Sequence, residues 1–134
     1  MSDEILNRTN VANGKAQSYR DLLVWQKSIA LAKAIYKLTV EFPSEEKFGL
    51  ISQMRRAAVS VPSNIAEGHT RASTKEYLNH VSMAQASLAE VETQVEIARR
   101  LSYIAQPDLE AVLEASSVLG KKLYRLRDAL ARRV

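Results

Sequence analysis

The stretch Gln53-Met54-Arg55-Arg56-Ala57-Ala58-Val59-Ser60-Val61-Pro62-Ser63-Asn64-Ile65-Ala66-Glu67-Gly68 decides how the chain folds. With Leu50 in front of it, apolar or small residues recur at Leu50, Met54, Ala57, Val61 and Ile65, a 4-3-4-4 spacing that marks one face of a 3.6-residue repeat. Pro62 removes the N–H that would bond the Ala58 carbonyl, so the helix is expected to bend or restart there. Gly68 is expected to supply a left-handed C′ stop. Asn64 and Glu67 are polar and late in this helix. They are expected to cap or cross-link helix ends, because a buried carboxylate without a partner is strongly disfavoured.

Working outward, Leu22, Trp25, Ile29, Ala32, Tyr36 and Val40 recur at helical spacing and predict a first helix over about 20–41. Phe42 precedes Pro43 and is pushed out of the helical region, which places a turn at Phe42-Pro43-Ser44. Ser44 is then the expected N-cap of a second helix, about 45–67, with Glu45 and Glu46 in its first turn. Ser73 and Glu76 form a capping-box pattern that opens a third helix, about 74–103. Its seam, Tyr77, Val81, Ala84, Leu88, Val91, Val95 and Ala98, alternates strictly by four and three. Pro107, Asp108 and Glu110 mark the first turn of a fourth helix, about 107–132, with its own heptad at Leu109, Val112, Ser116, Leu119, Leu123, Leu126 and Leu130. No segment reads as strand. Four helices with short connections give an all-α, antiparallel up-down-up-down, left-handed four-helix bundle over residues 19–134. Residues 1–18 lack a sustained apolar period and read as a flexible tail.

The segments "YRDLLVWQKSIALAKAIYKLT", "SQMRRAAVSVPSNIAEG" and "EYLNHVSMAQASLAEVETQVEIARRL", in this order, carry a resemblance that spans roughly residues 19 to 126. The chain resembles the four-helix-bundle proteins encoded inside intervening sequences of bacterial 23S ribosomal RNA genes. The combination of "VWQK", "RRAAVSVPSNIAEG" and "SLAEVETQ" is far more specific than any one of them. The resemblance implies an up-down bundle, a homopentamer and no established enzymatic activity. Similar bundles act as accessory proteins to the reverse transcriptases of diversity-generating retroelements.

Composition bounds the remaining possibilities. At 134 residues, with 46% hydrophobic and 25% charged content, the chain fits one domain with one core. It has no cysteine, which excludes disulfides, thiolate metal sites and cysteine nucleophiles, and which fits a reducing cytoplasm. Lys27, Lys33 and Lys37 interrupt the longest apolar run, so no membrane span is expected. The amino terminus, Met1-Ser2-Asp3-Glu4, lacks the basic and apolar regions of a secretion signal.

The net charge of +4 is concentrated at the carboxy terminus. Residues 120–134 carry Lys121, Lys122, Arg125, Arg127, Arg132 and Arg133 against Asp128 alone. Such a block attracts phosphate backbones, and it equally describes a solvated helix end whose cations complement the macrodipole. Arg100 has Glu96 four residues before it and reads as an ordinary surface pair. Arg55 and Arg56 have no acidic neighbour three or four residues away, which makes them candidates for a nucleic-acid or partner contact alongside Lys121, Lys122 and Arg125.

Catalytic and metal chemistry find little support. No Glu-x-x-His occurs, and His69 and His80 are the only histidines, so neither a cofactor nor a metal is expected. The glycines Gly14, Gly49, Gly68 and Gly120 are dispersed, with no phosphate-cradling loop and no nucleophile elbow. The expected function is a nonenzymatic oligomeric adaptor that associates with structured RNA or with a nucleic-acid-processing partner such as a reverse transcriptase. The alternative is a protein-interaction scaffold with no nucleic-acid binding. Leu31, Ile35, Leu38, Leu78, Ile97 and Leu101 lie off the two main stripes, which suggests apolar surface for an interface, a pentamer being favoured by the resemblance.

Overall fold

The computed structural model describes residues 18–134. The expected tail lies outside the described residues except for Ser18, whose hydroxyl accepts the Arg20 N–H and caps a short 3-10 turn, Tyr19–Asp21. Four helices follow: α1 (Leu23–Thr39), α2 (Leu50–His69), α3 (Thr74–Arg100) and α4 (Gln106–Ala131). Among the described residues there is no strand. In the bundle α1 packs on α2 and α4, and α3 packs on the same two helices, while the diagonal pairs do not approach closely. Neighbouring helices run antiparallel. Ser60 meets Ser87 and Asn64 meets His80, so α2 and α3 pair in opposite senses. Ser116 on α4 meets Glu92 on α3, and Leu88 faces Gly120, with the same reversal.

The seams of α2, α3 and α4 match the heptads, with Met54, Val61, Ile65, Val81, Val95 and Leu123 all fully buried. The stripe expected on α1 holds only in part, with Leu22 and Ala32 buried and Trp25 half-buried against the core. Val24, Ser28, Leu31, Ile35 and Thr39 point inward, whereas Ile29, Tyr36 and Val40 of the expected stripe are 42%, 43% and 70% exposed. This helix is apolar on more than one side, and periodicity alone admits two stripes. The inward one keeps the branched aliphatic pair Leu31 and Ile35 out of water and leaves the amphipathic ring of Tyr36 at the surface. Leu31 and Ile35 are therefore core, not surplus surface. Leu38 and Leu78 are half-buried, and Ile97 and Leu101 remain exposed.

Three helix ends differ from expectation. Ser44–Glu46 forms its own 3-10 turn, so α2 begins at Leu50, and the Glu46 carboxylate, rather than Ser44, accepts the Leu50 N–H at 3.1 Å. Its other oxygen accepts the Tyr103 hydroxyl at 2.8 Å, which ties the α1–α2 connection to the α3–α4 connection. Helix α2 runs through Pro62 without restarting and continues past Gly68 to His69. Gly68 is thus a helical residue, not a left-handed stop. A Cβ there would lie 2.7 Å from the His80 Cβ and 2.9 Å from the Tyr77 ring, so glycine is required by the close approach of α3. The left-handed stop appears instead after α3, at Ser102 with φ of 64°. The Tyr103 N–H bonds the Ala98 carbonyl and the Ser102 N–H bonds the Arg99 carbonyl, a Schellman ending that cuts α3 at Arg100. At the other end of α3 the Ser73 hydroxyl accepts the Glu76 N–H as expected, but it donates to the Glu76 carboxylate itself.

Candidate nucleic-acid interface

The carboxy-terminal half of α4 buries Leu119, Leu123, Leu126 and Leu130 against the bundle, and the same helical period turns its cations outward. Lys121 and Arg125 are exposed, Lys122 is half-buried, and Arg127 is exposed two residues further on. Among the described residues none of these four makes an ion pair or a side-chain hydrogen bond, whereas Arg132 is paired with Asp128 at 2.8 Å and Arg100 with Glu96 at 3.0 Å. A cation without a carboxylate partner keeps its full charge available to a polyanion.

Arg55 and Arg56 are not brought to this surface, because α2 is diagonal to α4. Arg55 is half-buried and committed. Its Nε donates to the Thr39 hydroxyl at 2.9 Å, a terminal nitrogen donates to the Tyr36 carbonyl at 3.2 Å, and the guanidinium lies 4.5 Å from the centre of the Tyr36 ring. It satisfies the end of α1, where carbonyls lack helical partners. Arg56 is exposed and borders a groove between α2 and α3 with Gln53, Ser60, Glu90 and Gln94. The Gln94 side-chain oxygen is buried there and has no hydrogen-bond partner among the described residues.

Asn64 is buried and cross-links α2 to α3. Its amide nitrogen donates to the Ser60 carbonyl and hydroxyl at 3.0 and 3.1 Å, and its oxygen lies 3.0 Å from His80 Nδ1. Ser60 in turn accepts from the Ser87 hydroxyl at 2.8 Å. Ser60 and Ser87 were not singled out by the sequence, and His80 was considered there only as a metal ligand. The available signal was the i,i+4 spacing of Ser60 and Asn64 on the core face. Glu67 is exposed, with a carboxylate oxygen 3.8 Å from His80 Nδ1, an ion pair only when that ring is protonated. Pro62 is buried in the same segment.

Burial and hydrogen bonding shift several groups. Burial pushes the Tyr77 phenol up to about 12 and holds the neighbouring His69 imidazole below its ordinary value, with Asp21 opposing in part. The Leu50 N–H and the Tyr103 hydroxyl hold the Glu46 carboxyl below the usual range, and the same bond raises the Tyr103 phenol. Among the described residues no group of three or more metal-capable side chains converges, and no helix is long and apolar enough to cross a membrane.

A family model described as 23S rRNA-intervening sequence protein matches residues 20–125, which include all four helices except the last turns of α4. The chain belongs to that family. Among solved structures it is similar to a protein of unknown function from the S23 ribosomal protein family of Bacteroides thetaiotaomicron. The two share 26% identity over 79% of this chain and 96% of the other, with a TM-score of 0.72. No curated protein matches the chain. The family match ends at Arg125, so it takes in Arg55, Arg56, Lys121, Lys122 and Arg125 but leaves out Arg127, Arg132 and Arg133.

Proposed function

We propose that this 23S rRNA-intervening sequence protein is a nonenzymatic adaptor that associates with structured RNA through the outward face of α4. The single observation that carries the reading is the set of four cations without a partner among the described residues, Lys121, Lys122, Arg125 and Arg127, gathered on one helix, whereas Arg20, Arg55, Arg99, Arg100 and Arg132 are each engaged. Arg55 drops out of the RNA contact because it holds the end of α1, and Arg56 remains a secondary candidate. Assembly into a closed homo-oligomer, a pentamer by the family resemblance, would repeat the α4 face around an axis and raise avidity without new contacts. A reverse transcriptase is the protein partner that the resemblance favours, and the absence of cysteine suits a cytoplasmic setting.

A scaffold without nucleic-acid binding is the second reading, and one feature favours it. Val40, Phe48 and Leu101 are 70%, 89% and 51% exposed at the end of the bundle where Glu46 meets Tyr103. Large exposed apolar groups mark protein contacts. Fluorescence anisotropy with a hairpin RNA at about 50 and 200 mM salt separates the two readings, because phosphate contacts release counterions and weaken steeply with salt. The triple change Lys121→Glu, Lys122→Glu and Arg125→Glu should abolish binding at the lower salt. Unchanged affinity would overturn the α4 assignment, and a monomer mass by light scattering at micromolar concentration would overturn the assembly.

A further inference from the structure

Eight aromatic side chains lie among the described residues, and seven of them have a ring or cation partner. Trp25 packs edge-on to Tyr19 under Arg20, Phe42 meets Tyr103, Tyr77 meets His69, and even the exposed rings of Tyr36 and Phe48 lie under Arg55 and Lys47. Tyr124 is the exception. It is 61% exposed, and among the described residues it has no ring contact, no cation over its face and no hydrogen bond. It also sits in the middle of the unpaired cations. Lys121 is three residues before it and Arg127 three after, positions that adjoin it on the helix surface, and both are exposed. A bare aromatic face between free cations matches the two requirements of single-strand recognition, a stacking platform for a base and positive charge for the backbone on either side.

We infer that Tyr124 stacks an unpaired nucleobase of RNA while Lys121 and Arg127 take the flanking phosphates. The inference rests on the RNA-binding function proposed above and narrows it to looped or single-stranded segments. A duplex offers no free base face along its length, so it engages the cations without the ring. Tyr124 forms no part of the core, and its replacement leaves the Leu119, Leu123 and Leu126 seam in place.

The test compares a single-stranded RNA with a blunt RNA duplex carrying the same number of phosphates, by fluorescence anisotropy against the full chain and its Tyr124→Ala and Tyr124→Phe variants. Tyr124→Ala should weaken single-strand binding roughly five- to hundred-fold, the range seen for loss of one base–aromatic stack, and leave duplex binding within about two-fold. Tyr124→Phe should retain single-strand binding, because the face and not the hydroxyl is used. Equal loss on both RNAs, or no loss on either, overturns the inference while leaving RNA binding itself intact. A fall in particle mass by light scattering in Tyr124→Ala, with single-strand affinity unchanged, assigns the ring to a contact between copies and overturns it as well. If the unmodified chain binds neither RNA, the function proposed above fails and this inference with it.

Discussion

The α3–α4 seam and the α2–α3 interface are built from opposite materials. Helix α4 presents Leu109, Val112, Leu119, Leu123, Leu126 and Leu130, none more than 6% exposed, with Ser116–Glu92 inside the seam and Arg99–Gln106 at its exposed end as polar crossings. Helix α2 presents Ala57 and Gly68 to α3 and is crossed by Ser60–Ser87 and Asn64–His80. The first stabilises by area, each buried leucine contributing about 1.5–3 kcal/mol. The second contributes only about 1 kcal/mol per hydrogen bond, yet a slip of one turn would part Ser60 from Ser87 and Asn64 from His80. Leucines tolerate sliding better than matched donors and acceptors do. The α3–α4 seam therefore holds mainly by buried area, and the α2–α3 interface adds to its own buried Met54, Val61 and Ile65 the polar matches that fix register.

The contrast can be broken at its strong end. Leu123→Ala removes a fully buried side chain from the middle of α4 and should cost about 2–5 kcal/mol by lost burial plus a cavity. Urea denaturation followed by circular dichroism measures this directly, and a loss below about 0.5 kcal/mol, the size of a surface change, would show that the seam does not carry the stability.

Gly68→Ala tests the other interface, and magnitudes decide its sign. Alanine gains about 1 kcal/mol of helix propensity over glycine. Its Cβ would meet the His80 Cβ at 2.7 Å, an atom fixed to the α3 backbone, and such overpacking costs about 1–3 kcal/mol. A net loss of about 1 kcal/mol is expected, together with shifts of the Asn64 and His80 amide resonances. A rise in melting temperature would mean that α2 and α3 separate without penalty and that their contact does not set the register.

How much of this was legible follows the same division. The α3 and α4 heptads and the bundle class were plain, because apolar or small side chains repeat at one unbroken spacing along the whole of each helix. Helix α1 misled in part, since Ile29, Tyr36 and Val40 continue the stripe of Leu22, Trp25 and Ala32 as regularly as Val24, Leu31 and Ile35 run beside it, and only packing between α2 and α4 chooses between them. Gly68 misled for a related reason. A glycine near a helix end is as consistent with a left-handed stop as with a close crossing, and Tyr77 and His80 are what decide it. The stop itself fell on Ser102, which carries no glycine signal at all. On the candidate interface, the charge excess of residues 120–134 was visible, but the engagement of Arg55 by Thr39 and the isolation of the Tyr124 ring are properties of neighbours distant in sequence.

The smallest expected effect sharpens the comparison at the far end of the α2–α3 interface, where His69 packs edge-on to Tyr77. Burial holds the folded His69 below its ordinary 6.5, and Asp21 offsets this only in part. The unfolded chain therefore binds a proton at a pH where the folded chain does not, so stability is fully present above about 6.5 and declines as the pH falls below it. Glu46 acts in the same direction in a lower window. Its folded value is depressed, so the stability it contributes is present above the ordinary 4.5 and is lost as the pH falls through the folded value. Between about pH 7.5 and 5.5 only the His69 effect operates of these two, and the melting temperature should fall modestly over that interval. His69→Gln keeps a polar side chain of similar reach and removes the titration, so its melting temperature should be flatter across the same range. A slope unchanged in the variant would place the acid sensitivity elsewhere and leave the α2–α3 interface held by hydrogen bonds and close packing alone.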